Sequence, residues 1–289
     1  MKGLKIVVLA KQVPDTRNVG KDAMKADGTV NRAALPAIFN PEDLNALEQA
    51  LRLKDKYEGS TVSVLTMGPG RAADVLRESI FRGADNGYLL SDRAFAGSDT
   101  LATSYALSCA IKKIEDYDII IAGRQAIDGD TAQVGPQVAE KLGLPQITYT
   151  EEVISVEDGK ITVKRRLENG YEVVEGKTPM VITVNESAPE CRFRIAKRVM
   201  KYKYAKVASE MNDNDKALFE QKPYLQLTEW NVNDMGEINM EELGLNGSPT
   251  KVKTIENVVF QAKEARKFEP VDADMDTLMK ELIANHTIG

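Results

Sequence analysis

Short apolar runs alternate with amphipathic stretches through the first 150 residues. Lys5–Ala10, Thr61–Met67, Gly87–Leu90 and Asp118–Ala122 show little polar alternation, as expected of strands covered on both faces. Helical patterns lie between them. Asn40 can cap a helix that starts with Pro41, and Glu42 and Asp43 would then complement its positive dipole end. Leu44, Leu47 and Leu51 follow at helical spacing. Arg71–Arg82 reads as a helix leading through Gly83-Ala84-Asp85 to the next strand. Ser98 or Asp99 caps a helix reaching about Glu115, and Thr131–Leu142 forms another. This rhythm predicts an α/β fold with a doubly wound, mostly parallel sheet.

The pattern changes after Pro145. Runs at Glu152–Val156, Lys160–Leu167 and Tyr171–Glu175 are separated by Asp158-Gly159 and Asn169-Gly170, which are short hairpin signals. Met180–Val184 reads as one more core strand, so the antiparallel hairpins extend the same sheet. From Ala188 the chain turns basic (Arg192, Arg194, Lys197, Arg198, Lys201, Lys203, Lys206) and then irregular to about Thr254, before a helix at roughly Asp274–Asn285. The expected division is a nucleotide-binding domain over 1–188, with residues 189–289 as a docking segment and a C-terminal arm that packs on a partner subunit.

Composition narrows the chemistry. A net charge of -6 argues against a nucleic-acid partner, because phosphate neutralisation needs a basic face. No run approaches the roughly 20 apolar residues of a membrane span, and the opening run is too short for a signal sequence, so a cytoplasmic protein is expected. Cys109 and Cys191 lack CxxC spacing. The only histidine is His286, close to the end of the sequence, which disfavours triad, imidazole acid–base and histidine–metal chemistry. A protein whose cofactor supplies the chemistry needs none of these.

In an open parallel sheet the ligand sits beyond the carboxyl ends of the strands, where strand order reverses. Four loops follow strands: Ala10–Asp15, Thr66–Gly70, Ser91–Thr100 and Gly123–Gly135. In the last, Gly123 and Gly129 permit close backbone approach, and Thr131, Ala132, Gln133 and Val134 would form a first helical turn whose unpaired amides suit a phosphate. The same residues also fit a plain strand-to-helix turn with Asp130 as N-cap. Neither GxxxxGK[ST] nor GxGxxG is present. In the third loop Arg93 is a potential phosphate partner, and Asp99, Thr100 and Thr103 are potential ribose or flavin hydrogen-bonders; a solvated, capped loop is the other reading. The basic stretch from Arg192 fits a solvated helix face equally well.

Taken together, Lys11-Gln12-Val13-Pro14-Asp15, Asn40-Pro41-Glu42-Asp43 with Ala46-Leu47-Glu48, Met67-Gly68-Pro69, Gly83-Ala84-Asp85, Gly123–Asp130 with Gln133 and Gly135, and Gly247-Ser248-Pro249-Thr250 resemble the beta subunit of electron transfer flavoproteins over nearly the whole chain. The resemblance implies a heterodimer with an FAD-bearing alpha subunit. In that family the beta subunit holds AMP in simple carriers or a second FAD in electron-bifurcating members. Asp92-Arg93-Ala94-Phe95, Gly97, Asp99-Thr100 and Ala102-Thr103 resemble the bifurcating group. This implies FAD contacts at Ala10, Asn40, Met67, Gly68, Arg93, Asp99, Thr100, Thr103, Gly123, Arg124, Gln125, Gly129, Asp130, Thr131, Ala132, Gln133 and Val134, with the flavin ring near Arg93 and Thr100. NADH would be the donor. One electron would go to ferredoxin or flavodoxin, the other through the alpha-subunit FAD to a flavin dehydrogenase.

One segment departs from the family pattern. Asn185-Glu186 is followed by Ser187-Ala188-Pro189-Glu190 and Cys191-Arg192-Phe193, with cysteine at a usual proline and about two residues inserted. Arg192 and Ile195 are the expected docking residues, for a dehydrogenase of the acyl-CoA or the 2-hydroxyacid (lactate) type. Rival readings are the AMP-containing carrier, a universal-stress-type nucleotide sensor, and an adenylating enzyme. The sensor does not account for the segment after Ala188, and the adenylating enzyme needs a Ser/Gly-rich loop that Ala10–Asp15 does not supply.

Overall fold

The computed structural model describes residues 3–15, 36–251 and 266–288. Its principal sheet has nine strands: β1 (Lys5–Leu9), β4 (Thr61–Met67), β5 (Asn86–Leu90), β6 (Ile119–Gly123), β7 (Gln146–Glu157), β8 (Lys160–Leu167), β9 (Gly170–Lys177), β10 (Met180–Val184) and β11 (Thr228–Trp230). The spatial order is β11-β5-β4-β1-β6-β10-β7-β8-β9. The pairs from β11 through β7 are parallel, and β7-β8-β9 are antiparallel. A separate two-stranded antiparallel sheet, β2 (Gln12–Pro14) with β3 (Ala37–Phe39), was not anticipated.

The chain leaves β1 through α1 (Pro41–Lys56) to β4 and through α2 (Ala73–Arg82) to β5. It then crosses through α3 (Thr100–Ile114) to β6 on the other side of β1, and α4 (Val134–Leu142) follows β6. Strand order therefore reverses between β1 and β6. Alternate side chains of β1 face opposite layers: Ile6 and Val8 pack with Ala46, Leu47 and Leu76, whereas Val7 and Leu9 pack with Ala106, Leu107 and Val138. Helices on both faces explain the unbroken apolar strands.

The Asp158-Gly159 turn forms as expected, with φ of 50° and 73°. The second hairpin turns one residue earlier than the sequence suggested, because Leu167 pairs with Gly170 and leaves Glu168-Asn169 as the loop. Residues 189–251 do not stand apart from the sheet. Val207, Leu225 and Leu227 are buried in the α1/α2 layer, α5 (Ala196–Tyr202) and α6 (Lys216–Gln221) follow the basic turn, and β11 adds the edge strand beside β5. The contacts group residues 1–253 in one unit and 254–289 in a second. In the second unit, α7 (Asp272–Ala284) starts close to its expected position and leaves Met275, Met279 and Ile283 exposed.

Candidate functional site

A cavity of about 380 Å3 opens at the β1/β6 reversal. β1 and the two residues after it supply Leu9, Ala10 and Lys11, β4 supplies Leu65 and Met67, and β6 supplies Ala122 and Gly123. Phe95, Gly97, Ser98, Asp99, Thr100, Thr103 and Leu107 form the wall contributed by α3 and the loop before it. Arg124, Gln125, Ala126, Gly129, Asp130, Thr131, Ala132, Gln133, Val134 and Gly135 close the opposite wall. The lining combines apolar side chains, Leu9, Leu65 and Leu107 among them, with polar groups such as Asp99, Thr100 and Gln133, as in sites for a ligand with one flat apolar and one charged portion.

The polar wall is not the regular helical turn expected. Helix α4 begins only at Val134, and Gln133 makes no side-chain cap. Asp130 and Ala132 instead adopt left-handed backbone, with φ of 49° and 52°. Asp130 is not the N-cap; its carboxylate accepts from Gln125 Nε2 at 3.1 Å. Left-handed alanine costs about 1–2 kcal/mol, and such strain concentrates at ligand sites. Among the described residues no chain acceptor takes the amide hydrogens of Thr131, Ala132, Gln133, Val134 or Gly135. These donors, at the positive end of a nine-residue helix, suit an anion.

Asp99 is the cap of α3, accepting from the amides of Leu101 and Ala102 at 2.9 and 3.1 Å. Its second oxygen accepts from Thr250 N and Oγ1 at 3.0 and 2.7 Å, and Asp99 N donates to Ser248 Oγ at 2.8 Å. The Gly247–Thr250 motif thus latches the cavity rim. Partial burial raises the Asp99 pKa, but the hydrogen bonds from Thr250 outweigh it and hold the carboxyl below its ordinary value. Thr100 Oγ1 donates to Gln133 Oε1 at 2.8 Å and joins the two walls. Lys11 Nζ bonds both oxygens of Asp128, at 2.8 and 2.9 Å.

Three expected contact residues do not line the cavity. Gly68 is turned to β5, donating its amide to Leu90 O at 3.0 Å. Arg93 is exposed on a short 3-10 turn, Arg93–Phe95. Asn40 is fully buried behind the loop after β6; it holds the N-cap position of α1, but its side chain makes no cap bond. Arg124 meets the cavity, but its guanidinium pairs with Glu42 at 2.9 Å and lies over the Tyr149 ring. Sequence reasoning missed Asp43, a buried carboxylate in the cavity lining that accepts from Lys11 N at 2.8 Å and Gly123 N at 3.1 Å. Burial pushes its pKa up to about 7 against the lowering effect of those bonds. In the sequence it looks like any first-turn acid. The apolar lining of Leu9, Leu65 and Leu107 was also missed, because each residue reads as ordinary core.

In the docking segment, Arg192 turns inward. It bonds Glu48 at 2.9 and 3.1 Å and Asp55 at 2.7 Å, and Arg194 pairs with Glu78. Ile195 donates its amide to Phe81 O at 2.8 Å and is 42% exposed, whereas Phe193 is 91% exposed.

Comparison with known proteins identifies the family. Residues 27–213 match the electron transfer flavoprotein domain. The chain is 47% identical to the electron transfer flavoprotein subunit beta of Megasphaera elsdenii over 87% of each chain. It is 46% identical to the caffeyl-CoA reductase-Etf complex subunit CarD of Acetobacterium woodii over 86% of each. Protein FixA of Azotobacter vinelandii is 42% identical over 96% of this chain and 92% of its own. Among the described residues no helix is long and apolar enough to cross a membrane. With a family match and relatives of this coverage, the chain belongs to the electron transfer flavoprotein family, among its beta subunits.

Proposed function

We propose that the cavity binds FAD, and that the chain works with an alpha subunit to pass electrons from NADH to ferredoxin or flavodoxin and to a flavin-containing dehydrogenase. The observation that carries the FAD reading is the pairing of unpartnered amides at Thr131–Gly135 with the apolar lining of Leu9, Leu65 and Leu107. The amides and the α4 dipole would hold the diphosphate, and Asp99, Thr100 and Thr103 would meet the polar part of the ligand at the opposite wall. When bound, FAD would supply the redox chemistry. The chain's residues position it, exclude water from the apolar lining and set the charge around it. AMP needs only the amide wall, so the simple carrier is the second reading.

Two relatives bear on the partner. One is a subunit of a caffeyl-CoA reductase complex, and another is an acryloyl-CoA reductase electron transfer subunit of Anaerotignum propionicum, 46% identical. They favour an acyl-CoA-type dehydrogenase over the lactate type. We place its docking on the 192–195 turn, with Phe193 and Ile195 presented and Arg192 anchoring the turn to α1. The exposed methionines of α7 suit burial against the alpha subunit.

The test is to co-purify the chain with its alpha subunit and count released nucleotides. Two FAD and no AMP per heterodimer are expected, with NADH-dependent reduction of ferredoxin. One FAD with one AMP would overturn the FAD assignment.

A further inference from the structure

The loop after β6 forms a wall of the cavity, yet its shape is held from behind by the first turn of α1. Asn40 Nδ2 donates to Gln125 O at 2.8 Å, while its Oδ1 accepts from Ile127 N at 3.1 Å. Glu42 accepts from Gln125 N and Arg124 Nη2, both at 2.9 Å. Asp43 ties Gly123 N to Lys11 N, the amides at the ends of the two strands that flank the cavity. All three side chains are buried. Residues present only to complement the helix dipole would stay in water, because burying a carboxylate is costly. Burial of a polar trio is explained if its function is to fix the loop.

We infer that Asn40 and Asp43 are positioning residues for the bound nucleotide, holding residues 123–127 in the ligand-ready form before the ligand arrives. The inference rests on the reading of the cavity as an FAD site. It follows from donor and acceptor geometry. Asn40 must donate and accept at once, which aspartate cannot do at the same volume. Asp43 must accept at both oxygens, which asparagine cannot do because its NH2 would face an amide N–H. Preorganisation of this kind acts by lowering the ordering cost of binding.

Protonation provides an independent reading of the brace. The groups facing Asp43 are Lys11 at the end of β1, with Asp128 on its ammonium, and Asn40, Glu42 and Arg124 around the loop after β6. The one histidine, His286, lies in the other unit. A protonated Asp43 accepts fully at one oxygen only, and its pKa lies near 7. FAD binding to the wild type should therefore tighten as pH rises through that value.

The experiment uses the heterodimer stripped of nucleotide and titrated with FAD, following flavin fluorescence for Kd and stopped flow for release. Asn40→Asp and Asp43→Asn should each weaken binding by about 10- to 100-fold, mainly through faster release. The wild-type Kd should fall between about pH 6 and pH 8, and that slope should vanish in Asp43→Asn. Variants that bind like the wild type, or an Asp43→Asn protein that keeps the slope, would overturn the brace while leaving the FAD reading intact. A wild type that binds no FAD would overturn both. If Asp43→Asn fails to assemble, Asn40→Asp decides by its release rate.

Discussion

Gly123 and Gly129 look equivalent in the sequence, as two glycines of one loop, but the structure predicts opposite responses to alanine. A methyl on Gly123 would fall 2.3 Å from Asp43 Oδ1 and 2.8 Å from both Asp43 N and the carbonyl carbon of Glu42. Two of these three are backbone atoms, so no rotamer relieves the clash. The end of β6 would have to withdraw from α1 by about 1 Å to restore ordinary contact. That movement breaks the 3.1 Å bond from Gly123 N to Asp43. Overpacking costs about 1–3 kcal/mol, and a buried carboxylate losing a main-chain donor costs about 1.5–3 kcal/mol. The sum, roughly 2.5–6 kcal/mol, corresponds to a Tm lowered by about 10 °C in a chain of this size. At Gly129 nothing lies within 4 Å of the added carbon, so Gly129→Ala should melt like the wild type. Thermal denaturation of both heterodimers, with FAD counted after purification, is the assay. Gly123→Ala melting within about 2 °C of wild type with full nucleotide would refute the packing argument.

Phe193→Ala should leave Tm unchanged, because the ring is exposed. If the ring seats in the dehydrogenase, transfer to that enzyme should slow about 10- to 100-fold while NADH oxidation persists. Arg192→Ala should lower both Tm and transfer, since it releases Glu48 and Asp55. Identical behaviour of the two variants would remove the distinction drawn between presented and anchoring residues. Asp43 should also mark the pH dependence of stability. Its folded pKa of about 7 exceeds the ordinary 3.8, so the folded state binds the proton more tightly. The stability this provides is complete below about pH 4 and lost as pH rises through about 7, by on the order of 4 kcal/mol. Denaturant titrations of nucleotide-free wild type and Asp43→Asn should diverge accordingly, and a flat difference between about pH 5 and pH 8 would count against it.

The fold was legible because its strands report their surroundings locally. Ile119–Ala122 and Met180–Val184 are buried throughout, and only helices on both faces tolerate such runs. The same locality made β11 unreadable: Thr228–Trp230 is a three-residue edge strand whose place beside β5 depends on burial of Leu225 and Leu227 elsewhere. At the site, Thr131–Val134 could be placed at the cavity from loop position alone. Their conformation could not, since left-handed Ala132 contradicts its own propensity and is imposed by the surrounding structure. Asn40 and Asp43 were hardest to read correctly, because capping, dipole compensation and bracing all call for the same residue types at the start of a helix. What separates these roles is the distant partner, 85 positions away for Asn40 (Gln125) and 80 for Asp43 (Gly123). The Asn-Pro-Glu-Asp segment therefore both opens α1 and holds the loop after β6 from behind.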